Sequence, residues 1–581
     1  MKKFILLILF FSGSIIFCFA QAGQWTWMNG DSAFLYPGHY GTQGIADPAN
    51  APPAMYSPTR WKDLDGNFWF YGGYGPAEFL GDLWKFDPVQ NEWTWVKGNK
   101  LVNQPAVYGT LGIPSPNNSP GCRGWSCSSW TDDNGDLWIF GGRGYGDDPT
   151  KATQLADLWR YHIATNEWTW MKGNGDDFVH YGTKQVSAVS NTPGKRQEIT
   201  ADWTDHSGGL WFYGGISNGV LKSDRNDMWR YDISTNLWTW MSGDTLLNVF
   251  PVQGTTGVFS PANTPGGRMS YCSWQDDDGM FWFFGGHNDF YGPDWCDLWK
   301  YDPAINQWAF ISGSISNTDG NAGDACDTSH LFFPKGRWEN RVRWIDACGN
   351  LWLFGGQRNS GSLNDLWVYS PKMNVWSYVN GSLITNNKGK YGTKGVSDPD
   401  NVPGSRTGAG SWIDNKGNMW LFAGSQTTSH ETLRNDMWKY SPDPDCPAIS
   451  CGKNSANDGA VYSLSTIYQA EWIHDLDKTT VSDDSSFTIV RELIRVYPNP
   501  SAGNFTIEFR NSEEHSEVSI NILNTLGQIV FSAAEKIPSE NWTKKIDLCE
   551  DAMHCVSATG VYLIQIKTGN EFYRKKIVVS K

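Results

Sequence analysis

The chain has 581 residues, with 46 Lys and Arg against 61 Asp and Glu, for a formal net charge of −15. That balance argues against a nucleic-acid partner, which needs a basic footprint, and is compatible with plain solubility. With 33 Trp, 62 Gly and 15% aromatics, the composition is that of many short strands joined by glycine turns, and the length asks for several units rather than one small core.

In chain order, residues 1–20 read as an export signal. Met1-Lys2-Lys3 supplies the positive start, Phe4 to Phe19 the apolar run, and Ala20 a small residue before a cut. A membrane anchor fails on length, and no other apolar run approaches the ~20 residues that span a bilayer. Removal of the signal takes Cys18 from the 11 Cys and leaves an even number, suited to disulfides in an oxidising compartment.

Behind the signal, an aromatic run ending on two glycines, such as Leu210-Trp211-Phe212-Tyr213-Gly214-Gly215, occurs six times. The copies end at Gly73, Gly142, Gly215, Gly286, Gly356 and Gly424, with Ala423 in place of the first glycine in the last copy. Self-similarity at a near-fixed period dictates a repeat architecture. Each unit holds four strand-like segments. The first carries Trp61, Trp130, Trp203, Trp274, Trp344 or Trp412, each two positions before an Asp that reads as a turn cap. The second ends on the glycine pair. The third reads like Asp227-Met228-Trp229-Arg230-Tyr231, and the fourth like Trp238-Thr239-Trp240-Met241-Ser242-Gly243.

Four strands cannot bury both faces alone, whereas six such sheets stacked around an axis can, with Trp rings filling the space between neighbours. The sixth unit lacks a fourth strand, and an unattached copy, Trp25-Thr26-Trp27-Met28-Asn29-Gly30, sits at the mature N-terminus. The expected fold class is therefore all-β: a six-bladed propeller over residues 21–442, closed by the N-terminal strand. The glycine pair, the third-strand aromatic and the fourth-strand Trp resemble the kelch repeat family, although the period exceeds the ~50 residues usual there.

The extra length lies in the connection before each first strand, where Tyr40-Gly41-Thr42 is echoed at Tyr108, Tyr181 and Tyr391, as expected of an ordered excursion. The loops after the glycine pairs vary in length and should share an end with these connections. Variable loops on a rigid scaffold carry specificity, so that face is the expected binding surface. The residues just after the glycines differ there, and Arg143, His287 and Gln357 rank first as ligand contacts. Arg123, Arg196, Arg268, Arg337 and Arg406 recur on the first strands, with Met55 in their place in the first unit. They either grip carboxylates or sugar hydroxyls, or pair with a neighbouring Asp.

No catalytic residue, metal site or cofactor is expected. His-Glu-x-x-His, a phosphate loop and Gly-x-Ser-x-Gly are absent from the sequence. Galactose oxidase also uses a kelch-like propeller, but the Tyr-His pair here, Tyr161-His162, lies on a third strand rather than at the axis. A carbohydrate-active enzyme with paired carboxylates stays open as an alternative, as does a purely structural surface protein. Disulfide candidates are Cys446 with Cys451, Cys549 with Cys555, and Cys296 with Cys326.

Residues 443–493 read as a polar linker. Alternating runs then indicate a small β-sandwich over residues 494–581. Val496-Tyr497-Pro498-Asn499-Pro500, Gly560-Val561-Tyr562-Leu563 and the basic ending Lys575-Lys576-Ile577-Val578 resemble the C-terminal sorting domain of the Bacteroidetes type IX secretion system. The resemblance implies that Pro498, Asn499, Pro500, Gly560 and Tyr562 belong to a sorting signal read by that machinery. The expectation is a secreted or cell-surface propeller that binds a glycan or an extracellular protein.

Overall fold

Large aromatic side chains on short strands need an apolar surface on both sides of the sheet. The computed structural model supplies it by packing sheet against sheet. It describes residues 23–443 with short breaks, residue 446, and seven strands between residues 494 and 579. Residues 1–22 with the expected export signal, residues 447–493, Cys451, Pro498, Asn499, Pro500, Cys549 and Cys555 lie outside the described residues. The chain divides into two compact units, Met1–Asn454 and Ser455–Lys581.

All helix-free, the first unit contains six antiparallel sheets of four or five strands among its described residues. The second sheet is typical, hydrogen-bonding Ser128–Thr131, Leu137–Phe140, Leu158–His162 and Glu167–Lys172 in that order. Its first turn is capped by Asp132, which accepts the amides of Asn134 at 2.9 Å and Asp136 at 3.0 Å, and the Trp138 indole at 2.8 Å. The same Asp-to-indole bond recurs in the other five sheets, from Asp63 to Trp69 through Asp414 to Trp420. One aspartate thus fixes both the turn and the rotamer of the second-strand tryptophan.

The N-terminal strand Gln24–Asn29 pairs antiparallel with Met437–Ser441, setting Trp25 opposite Tyr440 and Trp27 opposite Trp438. Trp25 is fully buried. Its ring lies 5.0 Å from Tyr440 in its own sheet and 5.3 Å from Phe354 in the fifth.

First-strand tryptophans stitch neighbouring sheets together through their indole N–H groups. Trp61 donates to the Trp138 carbonyl at 2.8 Å, Trp130 to Trp211 at 3.1 Å, Trp203 to Trp274 at 2.7 Å and Trp274 to Trp352 at 3.0 Å. Trp344 then donates to Trp412 at 2.9 Å, and Trp412 back to Trp61 at 2.7 Å. Each indole carries its hydrogen bond into the next sheet, so it buries area without stranding a donor.

The long connections are ordered, and they follow the outer edge of the sheet that comes next. Ala46 pairs with Thr94 and Ser397 with Thr26, each on an outermost strand. The side-chain amides of Asn50, Asn118, Asn191, Asn263 and Asn401 reach the carbonyls of Trp93, Trp168, Trp238, Trp308 and Trp25. Tyr40, Tyr108, Tyr181 and Tyr391 donate to the third-strand carboxylates Asp82, Asp157, Asp227 and Asp436 at 2.6–3.0 Å.

The fourth connection, with Gln253 at that place, and the fifth have no such tyrosine. The fifth is instead tied by a disulfide from Cys326 to Cys446, with Cα atoms 5.4 Å apart. This corrects both pairings expected for these cysteines, Cys296 with Cys326 and Cys446 with Cys451. The connection turns outward along the fifth sheet, where Cys326 N–H meets the Tyr378 carbonyl at 2.7 Å, and there it meets the chain leaving the last strand. Cys296 lies fully buried just ahead of the strand Leu298–Asp302, its Sγ 3.6 Å from the Ser314 carbonyl.

The second unit holds two sheets. One orders Ile494–Tyr497, Asn504–Arg510 and Asn541–Asp547; the other orders Ile529–Lys536, Glu517–Leu523, Gly560–Thr568 and Glu571–Val579. Ile507 and Ile546 of the first, and Ile520, Ile522, Phe531, Ile564 and Ile566 of the second, are buried. Two of the seven strands, Ile494–Tyr497 and Asn541–Asp547, go beyond the alternating runs read in the sequence.

Candidate binding site at the connection end of the sheets

Each first strand begins at the end where the long connections and the glycine-pair loops meet. The recurring arginines enter there and turn inward. Arg123 meets Asp157 at 2.7 Å and 2.8 Å, Arg268 meets Asp297 at 2.8 Å and 2.9 Å, and Arg337 meets Asp365 at 2.7 Å and 2.8 Å. Arg406 pairs in the same fork with Asp436, and Arg196 reaches Asp227. All ten side chains have zero exposure. Of the two roles open to these arginines, ligand grip or pairing with Asp, the geometry gives the second: forked, desolvated pairs that tie first strand to third. In the first sheet Met55 replaces the arginine, and Asp82 keeps only Trp84 at 2.6 Å and Tyr40 at 2.7 Å; burial pushes its carboxyl pKa up.

The three residues ranked first as ligand contacts lie at this end but differ in surroundings. The Arg143 guanidinium sits 5.0 Å over the ring of Trp125, which also stacks on Tyr74 at 6.2 Å. His287 lies 5.3 Å from the ring of Trp338, with Nδ1 3.1 Å from Asp294 and Nε2 3.6 Å from Asp289. Gln357 is turned inward, donating to the Arg358 carbonyl at 2.6 Å and accepting from Ser362 at 2.7 Å. Its backbone pairs with Trp338, so it supports that tryptophan rather than facing outward.

Trp125 and Trp338 were missed in the sequence, although a signal was there. The strand positions of the repeat use nearly all the tryptophans, and these two fall outside every register. Both remain half-buried, whereas the strand tryptophans of the first three positions are buried. The indole N–H of Trp338 is buried without an acceptor, which costs about 1–3 kcal/mol unless a partner arrives.

Just inside these aromatics, the six first strands converge on a ring of left-handed residues. Ser57, Ser126, Glu198, Ser270 and Glu339 have φ between 50° and 59°, and Gly408 completes the set at 62°. A left-handed backbone costs a non-glycine residue on the order of 1–2 kcal/mol. Five side chains are retained despite that cost, and they close the space between the strands. Arg341 bridges Glu198 at 2.8 Å and Glu339 at 2.7 Å and donates to Ser57, while Ser126 and Ser270 donate to Glu198 at 3.1 Å and 2.7 Å. Burial first, and Glu339 second, raise the Glu198 carboxyl to about 7. The oxygens of this pair are thus engaged by Arg341 and the serines.

Among the described residues, no group of three or more His, Cys, Asp or Glu side chains is placed to hold a metal ion. Two family models match the chain: a Kelch motif over residues 348–381, spanning strands two to four of the fifth sheet, and a Secretion system C-terminal sorting domain over residues 495–580. The chain thus contains a Kelch motif in its fifth sheet and a type IX secretion C-terminal sorting domain, the mark of proteins exported to the cell surface or released.

Proposed function

We propose that residues 21–442 form a six-bladed kelch-type propeller closed by the N-terminal strand, exported by a signal at residues 1–20. A linker at 443–493 joins it to the sorting domain at 494–581. The indole chain that returns from Trp412 to Trp61 supports this reading, as does the pairing of Gln24–Asn29 with the last sheet.

On that scaffold the protein acts as a binding module. A glycan, or an extracellular protein presenting similar hydroxyl and carboxylate groups, contacts the connection end through Trp125 with Arg143 and Trp338 with His287. The observation that carries the reading is the pair of half-buried tryptophans outside the repeat, each with a cationic or ionisable partner over its ring. Probing a glycan array with the full chain tests it. Trp125→Ala and Trp338→Ala should each weaken the strongest signal at least tenfold while the melting temperature holds. Equal binding by wild type and both variants, or an array silent alongside an equally silent crosslinking screen on intact cells, sinks the proposal.

A further inference from the structure

At the opposite end, the same six first strands line a cavity of about 330 Å³. Its walls are two rings of equivalent positions on either side of the first-strand tryptophans. The inner ring reads Arg60, Ser129, Asp202, Ser273, Arg343 and Ser411; the outer ring reads Lys62, Thr131, Thr204, Gln275, Ile345 and Ile413. All six outer positions are half-buried, so they form the mouth.

Where hydroxyls occupy these rings, they do a structural job. Ser129 donates to the Arg60 carbonyl at 3.0 Å, Ser273 to Thr200 at 3.1 Å and Thr131 to Lys62 at 3.0 Å, each binding one first strand to its neighbour. A serine or threonine therefore satisfies the fold at these places. Arg60, Arg343 and Lys62 do something the repeat does not ask for. Together they bring three positive charges to one cavity of a chain whose net charge is −15.

Asp202 alone among the lining residues opposes the two arginines, while Lys62 has Asp414 and Asp63 near it. Asp202 sits 2.5 Å from Arg343 Nη2 and 4.0 Å from Arg60 Nη2 with its one shared oxygen, and Arg60 Nη1 donates to the Ser411 carbonyl at 2.9 Å. One carboxylate shared by two guanidiniums leaves an excess of positive charge in a partly desolvated space, where such charge is unfavourable without a counter-ion. Burial, and then the neighbouring Arg343, hold the Arg60 guanidinium down to about 9, and burial lowers Lys62. The Arg60 shift marks a cation short of anionic company, and the Lys62 shift marks its burial.

We infer that this cavity binds a small oxyanion, a carboxylate or phosphate group held between Arg60 and Arg343 and met at the mouth by Lys62. The site is separate from the one at the connection end, since the Glu198–Arg341–Glu339 cluster lies between them. Guanidinium forks match the planar carboxylate and the phosphate alike, and the ammonium adds charge without demanding geometry.

Isothermal titration calorimetry of the full chain with glucuronate, with inorganic phosphate and with glucose as the neutral control tests the inference. Binding of glucuronate alone assigns the site to acidic sugars, and binding of phosphate alone assigns it to the free oxyanion; either supports it. Arg60→Ser, Arg343→Ser and Lys62→Ile install residues that other copies of the repeat already use, so these variants should fold. The two serine variants should each lose at least tenfold in affinity. Asp202→Asn removes the competing carboxylate and should bind the anion several-fold tighter. No binding of either anion by wild type, or unchanged affinity in Arg60→Ser and Arg343→Ser, overturns the proposal. A tight Arg60–Asp202–Arg343 brace with no ligand role would instead show Asp202→Asn melting lower with no gain in anion affinity.

Discussion

Trp412 donates its indole N–H to the carbonyl of Trp61 at 2.7 Å, across 351 residues of sequence. Between these two lie four other sheets, each passing the same kind of bond to the next. Removing the strand that completes the last sheet therefore weakens more than one contact. Trp25→Ala empties a fully buried site between the fifth and sixth sheets, and its expected cost is about 3–5 kcal/mol, read as a lower denaturant midpoint in equilibrium unfolding.

The forked arginine–aspartate pairs predict an asymmetric response. Arg268→Met leaves Asp297 as an unpaired buried carboxylate and should cost about 3–5 kcal/mol. The double variant Arg268→Met/Asp297→Asn should recover a good part of that, because the first sheet already tolerates Met55 at the same place. Thermal melting of the two variants side by side checks the difference, and glycan-array binding should survive in both.

Asp224 gives a pH dependence with a definite sign. It is fully buried, accepts the Asp289 amide at 3.0 Å with one oxygen and leaves the other without a partner. Burial first, and the Asp289 charge second, raise its carboxyl from 3.8 to about 7. The folded protein thus holds this proton more tightly than the unfolded chain. The resulting stability is fully present below about pH 4 and is lost as pH rises through about 7. Glu198, also raised to about 7, acts in the same direction. Unfolding midpoints measured from pH 4 to 8 should fall, and Asp224→Asn should flatten the slope.

The Cys326–Cys446 bridge closes a loop with a sequence separation of 120, in one of the two connections whose sequence lacks the tyrosine. Its loss in Cys326→Ser should cost roughly 2–4 kcal/mol. Because Cys348 is also disulfide-bonded, differential scanning calorimetry with and without reductant should show a smaller drop in the variant than in the wild type, the difference being the share of this bridge.

The sheets were legible in the sequence because their determinants repeat. Each copy of Trp, Asp and glycine pair solves the same packing problem, so six copies align one another. What each recurring arginine binds was not legible. Arg123 and Asp157 are 34 residues apart, and nothing in their spacing distinguishes an internal partner from a ligand. The disulfide escaped for the same reason, since Cys446 comes close to Cys326 only once the last sheet has formed. The two candidate sites sit where copies differ, and difference in one sequence looks like drift until geometry collects it. Arg60, Asp202 and Arg343 are unremarkable neighbours of three tryptophans until the strands converge.

The edge pairings of the long connections bear on how such a chain behaves when crowded at a cell surface. An outermost strand with bare amide and carbonyl groups is a template for another copy of itself. Here the segment preceding each sheet folds back over that template, through Ala46 with Thr94, Ser115 with Trp168, Ala188 with Trp238, Ser260 with Trp308, Ser329 with Trp376 and Ser397 with Thr26. The length that sets this repeat apart from shorter ones works as built-in insulation: neighbouring molecules can stand shoulder to shoulder without seeding fibrils.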